Sequence, residues 1–126
     1  MIRKNDKSNG IRKLYISGPM SGLPDYNMPM FNKVAAELRA KGNGNVIVYN
    51  PAEQDAINGT DPADAVPNGK LRKQVIKADL DYILTEATEL VVLKGWRQSS
   101  GCVCEVMTAR AIGISVRFYR ERKPAK

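Results

Sequence analysis

The constraint that most limits the fold is a regular alternation of short β-rich blocks with longer segments whose apolar residues recur every three or four positions. The first pattern predicts strands and the second predicts amphipathic helices. Strands are predicted at residues 13–17, 46–49, 89–93 and 114–119, and helices at residues 27–41, 71–85 and 102–112. Because strands that alternate with helices form right-handed β-α-β crossovers, we predict an α/β fold with a mostly parallel sheet of four to five strands and helices on both faces.

The chain length predicts one domain. With 126 residues, of which 43% are hydrophobic, the chain can bury a core without a disulfide or a metal site. We place the domain at residues 13–119, between a basic N-terminal tail (1–12) and a basic C-terminal tail (120–126). Residues 52–69 are rich in Asp, Asn, Gly and Pro, which predicts a long loop that could include a short helical turn.

The net charge of +7 is concentrated at the chain ends. Residues 1–13 and residues 117–126 each hold five Lys or Arg and one acid, whereas residues 14–116 hold ten Lys or Arg and eleven acids. Basic ends can bind nucleic acid nonspecifically, but solvated ends are the commoner case, so we do not expect specific nucleic-acid binding. No apolar stretch is long enough to span a membrane and no signal-peptide pattern is evident, which predicts a cytoplasmic protein without membrane contact.

Missing residue types exclude several kinds of chemistry. The chain has no histidine, which excludes Ser-His-Asp and Cys-His catalysis and leaves carboxylates, hydroxyls, Lys, Tyr or Cys. Its two cysteines, Cys102 and Cys104, are too few and too closely spaced for a zinc site, so we expect them to pack as small apolar side chains. We predict neither a metal nor a cofactor.

Two predicted loops should form a ligand site, because open parallel sheets bind ligands beyond the carboxyl ends of their strands, at a topological switch point. The loop after the first strand comprises Ser17, Gly18, Pro19, Met20, Ser21 and Gly22. Its glycines let backbone N–H groups approach a phosphate or sugar, although a structural turn is an equal explanation and the P-loop and dinucleotide patterns are absent. The loop at 94–101 carries Trp96, which could stack on a base or cap the core.

Two carboxylates near these loops are candidates for chemistry. Glu105 is predicted in the opening turn of the third helix, where the helix dipole favours an acid with or without a function. Asp79 is spaced three and four residues from Ile76, Val75 and Ile83, which places it on or beside the apolar stripe of its helix. A carboxylate that turns inward has to be paired, hydrogen-bonded or protonated, whereas one that only flanks the stripe reaches water.

Several short motifs occur in one order and together resemble a known family. They are YISGPMSGLPDYN at 15–27, FN at 31–32, NPAE at 50–53, ADL at 78–80, GW at 95–96 and S-x-G-x-x-x-E at 99–105. The set resembles the small, often phage-encoded, nucleoside 2-deoxyribosyltransferase-like proteins (the DUF4406 group), over nearly the whole domain from about Leu14 to Val116. This resemblance implies a flavodoxin-like, Rossmann-like three-layer fold.

The resemblance also implies a chemistry, since the wider superfamily includes nucleoside deoxyribosyltransferases and deoxynucleoside-monophosphate N-glycosidases. In those enzymes a glutamate attacks the anomeric carbon of the sugar, and Glu105 matches that glutamate. Tyr15 matches the tyrosine that holds the nucleophile, and Asp79 matches an acid that faces the base and sugar. Ser99, in the motif that includes Gly101, matches the serine of the branch that binds a 5′-phosphate.

The expected ligand is therefore a nucleoside or a nucleoside 5′-monophosphate whose N-glycosidic bond is cleaved or transferred. The alternative is a protein that binds or sequesters a nucleotide without turnover. The resemblance further implies a homodimer or a higher homo-oligomer in which a neighbouring subunit completes the pocket. Cys102 stands where alanine is more usual in the group, and the loosely matched residues 57–69 are expected to lie over the substrate.

Overall fold

The computed structural model describes residues 10–121, and in this range the chain forms one four-stranded sheet. The strands are β1 (Arg12–Ser17), β2 (Val46–Tyr49), β3 (Glu89–Val92) and β4 (Ser115–Phe118). They pair in the order β2-β1-β3-β4, and every pair is parallel. The predicted α/β class and parallel sheet are confirmed. The predicted basic tails fall mostly on residues 1–9 and 122–126, which lie outside the described residues.

Helices cover both faces of the sheet. Within residues 10–121 they are α1 (Met28–Gly42), α2 (Pro51–Asn58), α3 (Pro62–Ala65), α4 (Arg72–Thr85) and α5 (Ser100–Ile112). Side chains of α1 and α2 pack in one apolar cluster, and side chains of α4 and α5 pack in a second cluster. Strand β1 contributes to both, with Leu14 in the first and Tyr15 in the second, because successive side chains of a strand point to opposite faces. The result is a three-layer sandwich.

Among residues 10–121, no helix combines the length and the apolar composition that crossing a bilayer requires.

The segment predicted as a long loop at 52–69 is mostly helical, so that prediction is wrong. Residues of the types that favour loops cap the helices within and just before this segment. The Asn50 side chain accepts a hydrogen bond from the Ala52 N–H at 3.0 Å and starts α2, which ends at Gly59 with φ of 70°. Asp61 accepts from the Ala63 N–H at 3.0 Å and starts α3. Composition alone did not distinguish a loop from two short capped helices.

Helix α5 begins earlier than predicted. The Ser99 hydroxyl accepts a hydrogen bond from the Cys102 N–H at 3.2 Å, so the first helical residue is Ser100 rather than Cys102. Glu105 therefore lies in the second turn of the helix and not in its opening turn. The attraction of the helix dipole, which is confined to the first turn, does not account for an acid at this position.

The strand order creates a switch point at β1. This strand pairs with β2 on one side and with β3 on the other, so the chain crosses the sheet between β2 and β3. In the β1–β3 register Ser17 is opposite Val92, so the two strands end side by side. The loops that follow them therefore meet at one edge of the sheet, where open α/β sheets bind ligands.

Candidate active site

A cleft of about 1350 Å³ opens at this edge, which is large enough for a nucleotide. Its walls come from the loops after β1 and β3, from α2 and α3, and from the first halves of α4 and α5. Most of the predicted site residues line it, namely Tyr15, Gly18, Pro19, Met20, Ser21, Asp79, Ser99, Gly101 and Glu105.

Glu105 lies at the bottom of the cleft and is held by two hydroxyls. Its side chain is buried, with the residue only 7% exposed. Tyr15 Oη donates to Glu105 Oε2 at 2.7 Å, and Ser17 Oγ donates to Glu105 Oε1 at 2.6 Å. Both donors come from β1 and are two residues apart, so the strand presents them on the same face. Each carboxylate oxygen therefore has its own donor.

The surroundings of Glu105 act on its pKa in opposite directions. Burial raises the pKa of this carboxyl to about 7, because the charged form loses hydration. The hydrogen bonds from Ser17 and Tyr15 and the positive charge of Arg72 limit the rise, since all three favour the ionised form. Glu105 can therefore change its protonation state near neutral pH.

Cys102 extends this hydrogen-bond network. Its Sγ lies 2.9 Å from Ser17 Oγ. Since the single hydroxyl proton of Ser17 is donated to Glu105, the thiol is the donor of the second bond. Burial raises the pKa of the thiol to about 12, which keeps this proton in place. Cys102 is buried in the second apolar cluster as expected, but Cys104 is exposed, so the prediction that both cysteines pack inside is wrong for Cys104.

Asp79 faces inward from α4. It is 9% exposed and lines the cleft, which favours the inward orientation over the solvent-facing one. Its Oδ1 accepts a hydrogen bond from Tyr49 Oη at 3.3 Å. Burial, followed by the nearby negative charge of Glu105, raises the pKa of Asp79 to about 7. The two carboxyl groups are thus coupled within one cleft.

Tyr49 is a site residue that sequence reasoning missed. In the β1–β2 register it is opposite Tyr15, and the two rings stack with centroids 5.1 Å apart and an interplanar angle of 18°. Tyr82 packs on Tyr49 at 4.3 Å between centroids. Neighbouring strands thus supply one tyrosine to each carboxylate of the site. The available signal was that both tyrosines lie in predicted strands, but the register that pairs them is not visible in the sequence.

Arg72 and Asp55 also line the cleft without having been predicted. Arg72 Nη1 donates to the Ala65 carbonyl at 2.9 Å, which ties the start of α4 to the end of α3. A Cβ atom at Gly101 would lie 2.9 Å from Arg72 Nη2, so the guanidinium approaches the backbone at the start of α5. Asp55 was missed because its segment was predicted as a loop, and Arg72 because an arginine at a helix start has no distinctive pattern.

Three predicted residues do not line the cleft. Ser17 lies behind it and contacts Glu105. Gly22 is exposed and has φ of 81°, which serves the turn rather than a ligand. Trp96 packs against Phe118, with ring centroids 5.8 Å apart, and joins the second apolar cluster. Of the two roles considered for Trp96, the structure therefore favours the one in the core.

Between residues 10 and 121, no group of three or more Cys, Asp or Glu side chains is arranged so that it could hold a metal ion.

A family model described as Domain of unknown function (DUF4406) matches residues 12–118. No curated protein matches the chain. The family description names no activity, so a function has to be argued from the geometry of the cleft.

Proposed function

We propose a function for this chain, which belongs to the DUF4406 family. It cleaves or transfers the N-glycosidic bond of a (deoxy)nucleoside or nucleoside 5′-monophosphate, with Glu105 as nucleophile. The observation that carries the proposal is the buried Glu105 carboxylate at the bottom of a nucleotide-sized cleft, oriented by Tyr15 and Ser17 through both of its oxygens. A fixed nucleophile and a second carboxyl group nearby are the components of retaining glycoside chemistry.

The proposed reaction has two displacements. In the first, a Glu105 oxygen bonds to C1′ while the bond from C1′ to the base nitrogen breaks, through an oxocarbenium-like transition state. The electron pair of the broken bond leaves with the base, which takes a proton from Asp79. In the second, water attacks C1′ and releases Glu105 as a carboxylate, while the proton of the water passes to Asp79. A second base in place of water makes the reaction a transfer.

The hydrogen bonds support this division of roles. Glu105 accepts two short bonds, at 2.6 and 2.7 Å, whereas Asp79 accepts one longer bond at 3.3 Å. Hydrogen bonds to an ionised carboxylate favour that form, so Glu105 loses its proton more readily than Asp79. Burial and then the charge of Glu105 raise the pKa of Asp79 to about 7, so this group is partly protonated at neutral pH. Neighbouring carboxyl groups with different environments commonly take different roles, one as the ionised nucleophile and the other as the acid.

The positive charge in the cleft supports a phosphorylated substrate. Arg72 lines the cleft, and its charge acts on the pKa of Glu105. Ser99 and Gly101 line the same wall at the start of α5, whose backbone N–H groups and dipole favour an anion. We therefore propose that Arg72, Ser99 and Gly101 bind the 5′-phosphate, and that Pro19, Met20 and Ser21 contact the sugar.

The exposed apolar residues are consistent with a further part of the proposal, a homo-oligomer. Leu84 on α4 and Met107 on α5 are 53% and 56% exposed, and these two helices form one layer of the sandwich. We propose that a second copy covers this layer. Light scattering of the full chain tests the oligomeric state directly.

The decisive experiment is release of free base. Common nucleosides and their 5′-monophosphates are incubated with the wild type, with Glu105→Gln, and with Glu86→Gln as a control, since Glu86 is exposed and pairs with Lys13 outside the cleft. We expect base release by the wild type and the control, a loss of about 10³-fold or more in Glu105→Gln, and a sugar adduct on Glu105 in the mass spectrum of the quenched wild type.

Two results would change the conclusion. If the wild type and Glu105→Gln release no base from any substrate, the enzymatic proposal fails. Tight stoichiometric binding of a nucleotide that survives Glu105→Gln would then identify the protein as a nucleotide-binding or sequestering protein.

A further inference from the structure

One carboxylate in the cleft has no partner of its own. Asp55 lies on α2, is 8% exposed and lines the cleft. Among residues 10–121, no hydrogen bond or ion pair reaches its carboxylate, whereas Glu105 and Asp79 each accept a hydrogen bond from a tyrosine. Every fully buried side-chain oxygen or nitrogen in the same range has a partner. Because the carboxylate of Asp55 has no partner, its oxygens are not fully buried, and the residue lines the cleft.

Apart from Arg72, whose guanidinium donates to the Ala65 carbonyl, the wall around Asp55 is apolar. Helices α2 and α3, the segment that follows them and the first turn of α4 contribute Pro51, Pro62, Ala65, Val66 and Val75 to the lining of the cleft. Burial alone raises the pKa of Asp55 to about 6, so at pH 7 the group is ionised and uncompensated. An apolar wall with one unpaired polar group is typical of a ligand site, because the ligand supplies the missing hydrogen bonds.

Chain connectivity places Asp55 on the Asp79 side of the cleft. Tyr49, which binds Asp79, is the last residue of β2, and Pro51 two residues later begins α2, the helix that carries Asp55. The charge of Asp55 contributes to the raised pKa of Asp79 and to that of Tyr49. The groups that act on the pKa of Glu105 are Ser17, Tyr15 and Arg72 instead. In the proposed reaction the sugar lies over Glu105 and the base departs beside Asp79. In that reaction Asp55 therefore lies on the side of the cleft toward which the base departs.

We infer that Asp55 selects the base, and that it favours bases that carry an amino group, as adenine, cytosine and guanine do, over thymine and uracil. The inference rests on the proposed function and specifies the substrate class for the same cleft. An ionised carboxylate can only accept hydrogen bonds, so the base edge that faces it must donate. The three amino-bearing bases can present that donor.

Thymine and uracil are poorer partners for this carboxylate. Their one donor on the pairing edge, N3–H, is flanked by two carbonyl oxygens that repel a negative charge. A carboxylate that meets these carbonyl oxygens is held away from the N3–H and left poorly paired, which is costly for a buried polar group.

The test compares base release from dAMP, dCMP, dGMP, dTMP and dUMP. The wild type is compared with Asp55→Asn and with Asp64→Asn, a control acid in the same segment whose residue does not line the cleft. We expect the wild type to prefer the amino-bearing substrates in kcat/KM by about 10- to 100-fold. In Asp55→Asn this preference should collapse, because an amide can donate to a carbonyl and accept from N3–H. Asp64→Asn should retain it.

The outcomes separate the inference from the proposed function. If the wild type releases base without favouring amino-bearing substrates, or if Asp55→Asn slows all five equally, the inference is wrong and the proposed function stands. If no base is released, calorimetric binding of the same five nucleotides to the wild type and Asp55→Asn decides the selectivity independently of turnover. Equal affinities, or no binding of any of the five, would then overturn the inference.

Discussion

Ser17 has one hydroxyl proton and two neighbours that could take part in a hydrogen bond. The oxygen of Glu105 lies at 2.6 Å and the sulfur of Cys102 at 2.9 Å from Ser17 Oγ. Because Ser17 donates this proton to Glu105, the thiol of Cys102 donates to Ser17. The three residues form a chain of hydrogen bonds in which each donor points toward Glu105. Bonds in such a chain polarise one another, so the thiol strengthens the donation from Ser17 to Glu105.

Replacing Cys102 tests this chain. In Cys102→Ala the Ser17 hydroxyl loses an incoming hydrogen bond and stabilises the Glu105 carboxylate less. We expect kcat/KM for base release to fall by about 2- to 10-fold, and the acidic limb of its pH profile to move to higher pH because the pKa of Glu105 rises. The matched variant is Cys104→Ala, since Cys104 is exposed, and it should behave as wild type. An unchanged profile in Cys102→Ala would contradict the chain.

Gly101 allows a test of the proposed phosphate site. A Cβ at this position would lie 2.9 Å from Arg72 Nη2, the tip of a flexible side chain, so Gly101→Ala should displace the guanidinium. Stability should change by less than about 1 kcal/mol, since alanine is also the better helix former. We expect KM to rise for 5′-monophosphates and to stay the same for the unphosphorylated nucleosides, which serve as the internal control. An equal rise for both substrate classes would exclude Arg72 from phosphate binding.

At the scale of elements, α2 depends on a single buried cap. Asn50 is 1% exposed, accepts from the Ala52 N–H at 3.0 Å and donates from Nδ2 to Asn32 Oδ1 at 2.8 Å. One side chain therefore starts α2 and joins it to α1. Because α2 carries Asp55, the cap also fixes one wall of the cleft.

Removing that cap should destabilise the protein. Asn50→Ala loses the helix cap and leaves the Asn32 side chain without its donor, so we expect the free energy of unfolding to fall by about 1–3 kcal/mol. Urea denaturation measures this change. Asn58→Ala, at the exposed end of the same helix, should stay within about 0.5 kcal/mol of wild type. Equal stabilities of the two variants would show that Asn50 does not control α2.

At the scale of the whole molecule, three buried carboxyls link the proton equilibrium to folding. Burial raises the pKa of Glu105 and Asp79 to about 7 and that of Asp55 to about 6. All three values lie above those of an unfolded chain, so between about pH 4 and pH 7 the folded protein binds more protons than the unfolded one. The contribution of these groups to the free energy of unfolding therefore falls as pH rises from about 4 to 7, and it is smallest above pH 7.

The variant Glu105→Gln isolates one of these contributions. It removes the cost of a buried charge at high pH and changes little at low pH, where Glu105 is protonated. We expect the stability of Glu105→Gln relative to wild type to increase by about 1–3 kcal/mol between pH 5 and pH 8. Denaturation curves at the two pH values measure it, with Glu86→Gln as the exposed control. A constant difference would mean that Glu105 does not titrate in this window.

The sequence by itself determined the order of elements, the parallel sheet and the edge at which the cleft lies. Periodicity, breaker residues and motif order are local properties that can be read without knowledge of the fold. From them the sequence also singled out Asp79 and Glu105 by spacing, and Tyr15 through the family resemblance. It failed at residues 52–69, where capping residues and loop residues have the same composition. Short capped helices are decided by a few hydrogen bonds that composition does not report.

Only the tertiary structure decided which groups meet. Tyr15 and Glu105 are 90 residues apart, and Tyr49 and Asp79 are 30 apart, yet each pair shares a hydrogen bond. These contacts depend on the register of β1 with β2 and on how α4 and α5 pack against the sheet. A local pattern determines the face on which a side chain lies, but not what lies opposite that face. For this reason Asp55 and Arg72 emerged as site residues only once the cleft was described.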